Sequence, residues 1–344
     1  MQSEIQNIIH INKLYKVFGP KPKTVMPLIE QGISKSELLR DHKHILALRD
    51  INLEVERENL QVIMGLSGSG KSTLIRHINR MIEPTAGNIW YNKDDILDYS
   101  TSQIRHFRRK KISMVFQNFG LMPHYNILQN VEFGLKIQGQ SKRIRTKLAT
   151  EWIKKVGLEG FENSHPHQLS GGMRQRVGLA RALATNAEVL LMDEPFSALD
   201  PLIKTNMQTL LIDLQKELKK TIVFVTHDLE EAIHIGDKIA ILKDGEIIQN
   251  CDPQQILLNP KNKYIQSFTR RVNRGRAIKV GSITTLKDKN YTDTECNENV
   301  SLEDALKLAI NSPSTKIRVV NDEHHYLGSV DASSIIEKIC KSNK

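Results

Sequence analysis

A chain of 344 residues with 39% hydrophobic content is long enough for one large α/β domain and a smaller companion. No run approaches the roughly 18 uninterrupted apolar residues that a membrane-crossing helix needs. The N-terminus MQSEIQNIIHINKLYK lacks the basic start, apolar stretch and small-residue site of a signal peptide, so the protein is expected to stay in the cytoplasm. A formal charge of +10 is compatible with nucleic acid, a membrane surface or plain solubility, whereas three distant cysteines, Cys251, Cys296 and Cys340, argue against both a disulfide framework and a zinc site.

The opening segment IIHINKLYKVFG alternates like an edge strand, and ALRDINLEVE near residue 50 reads as a second strand. Residues 20–44 between them are irregular, and read as an insertion in which LIEQGISKSELLR forms a short amphipathic helix entered through Ser34 or Ser36. From Gln61, apolar QVIMG, glycine-rich GLSGSGK and helically spaced STLIRHINRMI give strand, loop and helix. ISMVFQ predicts a further strand, a helical region follows from about 127 to 180, and VLLMDE and TIVFVTH add two strands. Short apolar runs alternating with helices imply a mainly parallel sheet buried on both faces. The Asp-Gly pair of KIAILKDGEIIQNC predicts a hairpin, and the core pattern ends near Tyr264 or Phe268. The boundaries expected are therefore 1–268 for the main domain, 269–298 for a basic and polar linker, and 299–344 for a small unit reading helix, strand, hairpin, strand, helix. Basic residues gather at 105–111, 141–147 and 270–276, each read first as a solvated face.

Residues 65–72, GLSGSGKS, match the phosphate-binding pattern GxxxxGK[ST] between a buried strand and a helix. Gly65, Gly68 and Gly70 let successive backbone N–H groups point at phosphate oxygens, and Ser67, Ser69 and Thr73 are counted with them as nucleotide-binding residues. Lys71 can reach the β and γ phosphates, and the Ser72 hydroxyl can ligate Mg²⁺. The strand VLLM ends in Asp193 and Glu194, two carboxylates at the C-terminal edge of the sheet: Asp193 for Mg²⁺, usually through water, and Glu194 as the general base. In LSGGMRQR at 169–176, Ser170, Gly171 and Gly172 open a helix and make a second anion site. Two phosphate sites on one chain are explained if each nucleotide is sandwiched between the loop of one copy and the SGG helix of another, in a head-to-tail homodimer.

Together with Gln117 in MVFQNF, SALD at 197–200 and His227 in VTHD, these motifs resemble, in order and spacing from about residue 8 to 268, the ATPase subunits of ABC transporters. The resemblance implies a P-loop NTPase (RecA-like) fold: a mainly parallel α/β core, an antiparallel β subdomain and a helical subdomain at about 120–180, binding ATP and Mg²⁺. It implies that Gln117 touches Mg²⁺ and the attacking water and couples the site to membrane subunits. His227 senses the transferring phosphoryl group, and Asp200 belongs to the loop by which two copies read each other. Phe18 matches the aromatic that stacks on adenine, with Tyr15 or an insertion residue as alternatives. Met173 and Gln175 depart from the commonest signature, in which Gln follows SGG directly, and leave the serine and glycine donors intact.

Within that family the chain resembles the ATPases of glycine betaine and proline betaine uptake. The features carrying this are NKLYKVFG followed by the LIEQGISKSELL insertion, IMGLSGSGKSTLIRHINRMIEPT, RRKKISMVFQNFGLMPH, LSGGMRQRVGLARAL and FSALDPLI. Implied cargoes are small quaternary or tertiary amines such as betaines, choline or trimethylamine N-oxide. Implied partners are membrane permease subunits and a periplasmic or lipid-anchored substrate-binding protein, with the ATPase peripheral on the cytoplasmic face of the membrane. That subfamily often carries a C-terminal pair of CBS units. Here only residues 299–340 resemble one, and the 270–276 cluster is a candidate contact for anionic lipid. An importer for another solute such as an amino acid, an exporter ATPase, and a soluble ABC protein acting on nucleic acid are the rival readings. No nucleic-acid partner is expected, because neither a second cassette nor a long coiled coil is seen.

Overall fold

The structure is a computed structural model that describes residues 7–117, 119–285 and 294–340. Residues 1–6, 118 and 341–344, and the stretch 286–293 of the expected linker, lie outside the described residues. The chain divides into two units, Met1–Asp228 with Asp237–Asn250, and Leu229–Gly236 with Cys251–Lys344.

In the first unit, β1 (Asn7–Phe18) and β2 (Ile45–Glu56) pair antiparallel. β3 (Leu60–Met64) then opens a second sheet, and β4 (Ala86–Tyr91) and β5 (Asp94–Asp95) return to the first, which has the order β2-β1-β4-β5. β6 (Ile112–Val115), β7 (Val189–Asp193), β8 (Thr221–Thr226), β9 (Lys238–Lys243) and β10 (Glu246–Cys251) complete the second sheet, ordered β10-β9-β3-β8-β7-β6. β3 lies parallel to β8 and β9, and β7 parallel to β8 and β6. Every residue of β3, β7 and β8 is buried, which is why these strands are mostly apolar runs instead of alternating, with the polar residues Gln61, Asp193, Thr221 and Thr226 buried among them. Ile9, Ile11 and Val55 of the antiparallel sheet share one core with Ile63, Leu191 and Val223 of the parallel sheet and Leu74 of the helix Lys71–Ile78. Asp244 (φ 48°) and Gly245 (φ 75°) join β9 to β10 with the positive φ pair that a two-residue hairpin requires.

The helices Ile127–Ile137, Lys142–Lys155 and Gly171–Ala184 pack a separate core from Val131, Ile153, Leu169 and Val177. Asn126 caps the first of them in a capping box with Gln129. In the insertion, the single helix read from LIEQGISKSELLR is two, Met26–Glu30 and Lys35–His42. Gly32, at φ 91°, breaks the run, and Ser34 caps the second helix in a capping box with Glu37. Val25, Ile29 and Leu38 form a small core there with Val17 and Leu46.

In the second unit, helices Pro253–Leu258, Lys263–Thr269 and Arg274–Ala277 precede a three-stranded sheet of β11 (Glu295–Asn297), β12 (Lys316–Val320) and β13 (Tyr326–Asp331), in that order. Helices Leu302–Asn311 and Ala332–Cys340 flank β12 and β13 in sequence, as the pattern predicts. β11 pairs parallel to β12 and escaped the sequence reading because only Cys296 of its three residues is buried. Two arginines of the 270–276 cluster act inside this unit. Arg274 donates to the carbonyls of Lys338 and Leu257, both at 2.9 Å, and Arg276 pairs with Glu303 at 3.0 Å.

Candidate active site

The loop of residues 65–70 links β3 to the helix Lys71–Ile78 and is shaped by what its glycines omit. A Cβ on Gly65 would lie 2.2 Å from the Leu242 carbonyl oxygen, so only glycine lets the loop start there. Gly68 (φ 80°) faces open space, which leaves the backbone accessible to a ligand. The Ser69 N–H donates to the Leu66 carbonyl at 3.2 Å, while the buried Ser69 hydroxyl has no hydrogen-bond partner among the described residues.

Four more residues meet this loop at the ends of β7 and β8 and after β6. Asp193, 1% exposed at the end of β7, accepts the Ser72 hydroxyl at 2.7 Å and faces the Arg76 guanidinium at 3.3 Å. These contacts offset the desolvation of a buried carboxylate. Arg76 was missed in the sequence, although its spacing of four from Ser72 places both on one helix face. Glu194 is the hub. Its carboxylate lies 3.3 Å from the Lys71 ammonium, accepts from the Gln117 amide at 3.3 Å, and sits 3.5 Å from Nδ1 of His227. Lys71 is 4% exposed and also donates to the Leu66 carbonyl at 3.0 Å, whereas the His227 side chain is 56% exposed. Glu194 holds φ 45°, a strained conformation for a residue with a Cβ, and its N–H is anchored on the Val225 carbonyl at 3.1 Å.

The remaining candidates form other groups. Ser170 caps the helix Gly171–Ala184 by accepting from the Met173 N–H at 3.3 Å, and Asp200 caps the helix Pro201–Leu218 by accepting from the Ile203 N–H at 3.1 Å. Gly172 joins the two helices, since a Cβ there would lie 2.5 Å from Cγ2 of Ile203. Among the described residues, no hydrogen bond or ion pair ties Ser170, Gly171, Gly172 or Asp200 to residues 65–73. Ser67 is exposed in the loop, and the Thr73 carbonyl is engaged by Nδ1 of His77 at 2.7 Å. Phe18, 40% exposed, pairs with Ile45 at the end of β1, and the Lys16 ammonium sits 4.8 Å from its ring centroid; Tyr15 packs partly buried against the insertion core. Beside Gln117 lies a groove of about 420 Å³ lined by Phe116, Met122, Phe133, Ile137, Arg109 and Arg181, among others.

The ABC transporter family model matches residues 48–197, which contain the phosphate loop, the SGG helix start and the carboxylate pair, and so define the class: an ABC ATPase, a family that binds ATP. A dimeric structure of an ATP-binding cassette in a post-hydrolysis state, bound to ADP and Pi, superposes with a TM-score of 0.60 at 35% identity, covering 71% of this chain and 98% of that one. The glycine betaine transport ATP-binding protein OpuAA of Bacillus subtilis is 46% identical over 94% of this chain and 76% of its own length. The glycine betaine/proline betaine transport system ATP-binding protein ProV of Escherichia coli is 50% identical over 77% of this chain and 66% of its own length. The trimethylamine N-oxide transport system ATP-binding protein TmoW of Pelagibacter ubique is 37% identical over 98% of both chains. The chain belongs to the ATP-binding subunits of ABC transporters, in the family of these betaine and amine-oxide transport proteins, and is an ATPase coupled to transport.

Proposed function

We propose that this subunit powers import of a small quaternary or tertiary amine osmolyte, of the betaine, choline or trimethylamine N-oxide class, by hydrolysing Mg²⁺-ATP. The cargo class rests on the relatives named above, and no residue of this chain is assigned to it. The hydrolysis reading is carried by the placement of Glu194 within 3.5 Å of Lys71, Gln117 and His227.

The residues suit the ligands in two respects. Gly68 opens onto free space, so a phosphate can approach the loop backbone there. Ser72 and Asp193 present only oxygens, the donors a hard cation prefers, and Mg²⁺ is held by one or two carboxylates together with substrate phosphates. Bound there, the ion neutralises phosphate charge and polarises the terminal phosphoryl group. Lys71 and the loop N–H groups bind the β and γ phosphates. Glu194 accepts the proton of the attacking water. Gln117 orients that water and contributes to the Mg²⁺ site, and His227, at the same carboxylate, stabilises the phosphoryl group in flight. Phe18 supplies an exposed ring for adenine stacking.

The working unit in this proposal is a homodimer in which Ser170, Gly171 and Gly172 of one copy close on the phosphate loop of its mate, with Asp200 at the contact. The groove beside Gln117, apolar with a basic rim, receives a permease subunit, and substrate reaches the complex through a separate binding protein. The subunit then sits peripherally at the cytoplasmic face of the membrane. Among the described residues no helix is long and apolar enough to cross it. Residues 299–344 serve as a single CBS-like regulatory unit. The 270–276 cluster is a candidate contact for anionic lipid, and within it Arg274 and Arg276 are already engaged inside the unit.

Two variants test the core of this reading. Glu194→Gln should lower ATP hydrolysis by roughly 10²-fold or more and accumulate an ATP-bound dimer in size-exclusion chromatography. Lys71→Ala should weaken nucleotide binding itself, read by equilibrium titration. Normal turnover by Glu194→Gln would remove Glu194 as the base.

A further inference from the structure

We propose that the insertion between β1 and β2 sets the geometry of the phosphate loop, with Lys35 as a positioning residue; this rests on the ATPase reading above. Lys35, the first residue of the helix Lys35–His42, donates its ammonium to the Asp244 carbonyl in the β9–β10 turn. The next residue, Gly245, donates its N–H to the Ser69 carbonyl of the phosphate loop at 2.9 Å. Arg49 closes the frame: its backbone N–H donates to the Gly245 carbonyl at 2.8 Å, and its guanidinium to the Ile33 carbonyl of the insertion at 2.8 Å.

The frame has little slack. A Cβ on Gly245 would lie 2.3 Å from the Ala47 carbonyl oxygen and 3.0 Å from the Lys35 ammonium, and the start of the phosphate loop abuts Leu242, just before the turn. A shift of the turn therefore moves both ends of the loop, at Gly65 and at Ser69. The insertion in turn fixes Lys35. The neighbouring Ser34 and Glu37 satisfy each other in the capping box, and Leu38 is buried in the small core with Val25 and Ile29. The tie ends on Ser69, inside the loop proposed above to bind the β and γ phosphates, so its loss should weaken ATP binding before it affects the chemical step.

Steady-state ATP hydrolysis by the full chain tests this with Lys35→Met, which keeps the apolar stem, and Lys35→Arg, which keeps a cationic donor. Lys35→Met should raise KM for ATP about fivefold, as expected when part of a charged hydrogen bond is lost, with kcat within about twofold, and Lys35→Arg should return KM to within about twofold of the parent. Amide hydrogen exchange should quicken at Gly245 and in residues 65–70 and stay unchanged in the helix Ile127–Ile137. A parental KM in Lys35→Met, or a fall in kcat at constant KM, overturns the proposal. If Lys35→Met does not fold, Lys35→Gln is read by the same measurements. Lys71→Ala separates the two readings: if it binds and hydrolyses ATP normally the assignment of residues 65–71 to phosphate fails, whereas if it is dead and Lys35→Met is silent, only the role of Lys35 fails.

Discussion

His77 is fully buried on the helix that leaves the loop of residues 65–70, with Nδ1–H donating to the Thr73 carbonyl at 2.7 Å. Burial pushes its pKa from 6.5 down to about 4, and the Lys16 ammonium pushes the same way, against the Thr73 carbonyl and Glu83. The unfolded chain therefore binds a proton that the folded chain refuses between pH 6.5 and about 4. Stability is full above that window and falls as the pH drops through it, by an amount on the order of 3 kcal/mol. Thermal unfolding followed from pH 7.5 to 4.5 should show a steeper acid loss for the parent than for His77→Gln. Parallel curves would remove His77 as the source. At this scale the sequence spoke clearly for Lys71, Ser72 and Asp193, because a glycine loop and a strand-end carboxylate each need a fixed local pattern. It was silent on His77, whose titration depends on neighbours such as Lys16 and Glu83 that only folding brings close.

At the scale of elements, the contact between the helices Gly171–Ala184 and Pro201–Leu218 turns on one missing methyl group. Gly172→Ala would place a Cβ 2.5 Å from Ile203 and should cost about 1–3 kcal/mol by overpacking. Ile203→Ala should recover most of that loss in the double mutant. Chemical denaturation of the two singles and the double measures this coupling, and an additive double mutant would show that the two residues do not share the contact. The strands β3, β7 and β8 were legible because a strand buried on both faces reads as a nearly continuous apolar run. The insertion was legible only in part. The residues offered Ser34 or Ser36 as its cap and the structure uses Ser34, whereas the two-helix form depends on Gly32 at positive φ and on Val17 and Leu46, which lie outside the insertion in the strands β1 and β2.

For the whole molecule, the proposed partner surface makes a prediction that the proposed catalytic residues do not. Ile137, 44% exposed, lines the groove beside Gln117, so Ile137→Asp should leave the basal ATPase within about twofold while abolishing co-purification with the permease and transport in vesicles. Retained transport would remove the groove as the docking site. The sequence by itself determined the class of the protein, the glycine loop between β3 and its helix, the position of the Asp193–Glu194 pair at a strand end and the order of the apolar strands along the chain. Each of these is encoded in contiguous residues, where backbone freedom, charge and periodicity are read directly. Tertiary structure decided the convergence of Lys71, Gln117 and His227 on Glu194, the pairing of Asp193 with Arg76, and the frame of Lys35, Arg49 and Gly245 around the loop. Those contacts join residues far apart in the chain, and their geometry follows from how the β6, β7 and β8 strand ends and the β9–β10 turn line up in one sheet, which no local pattern specifies.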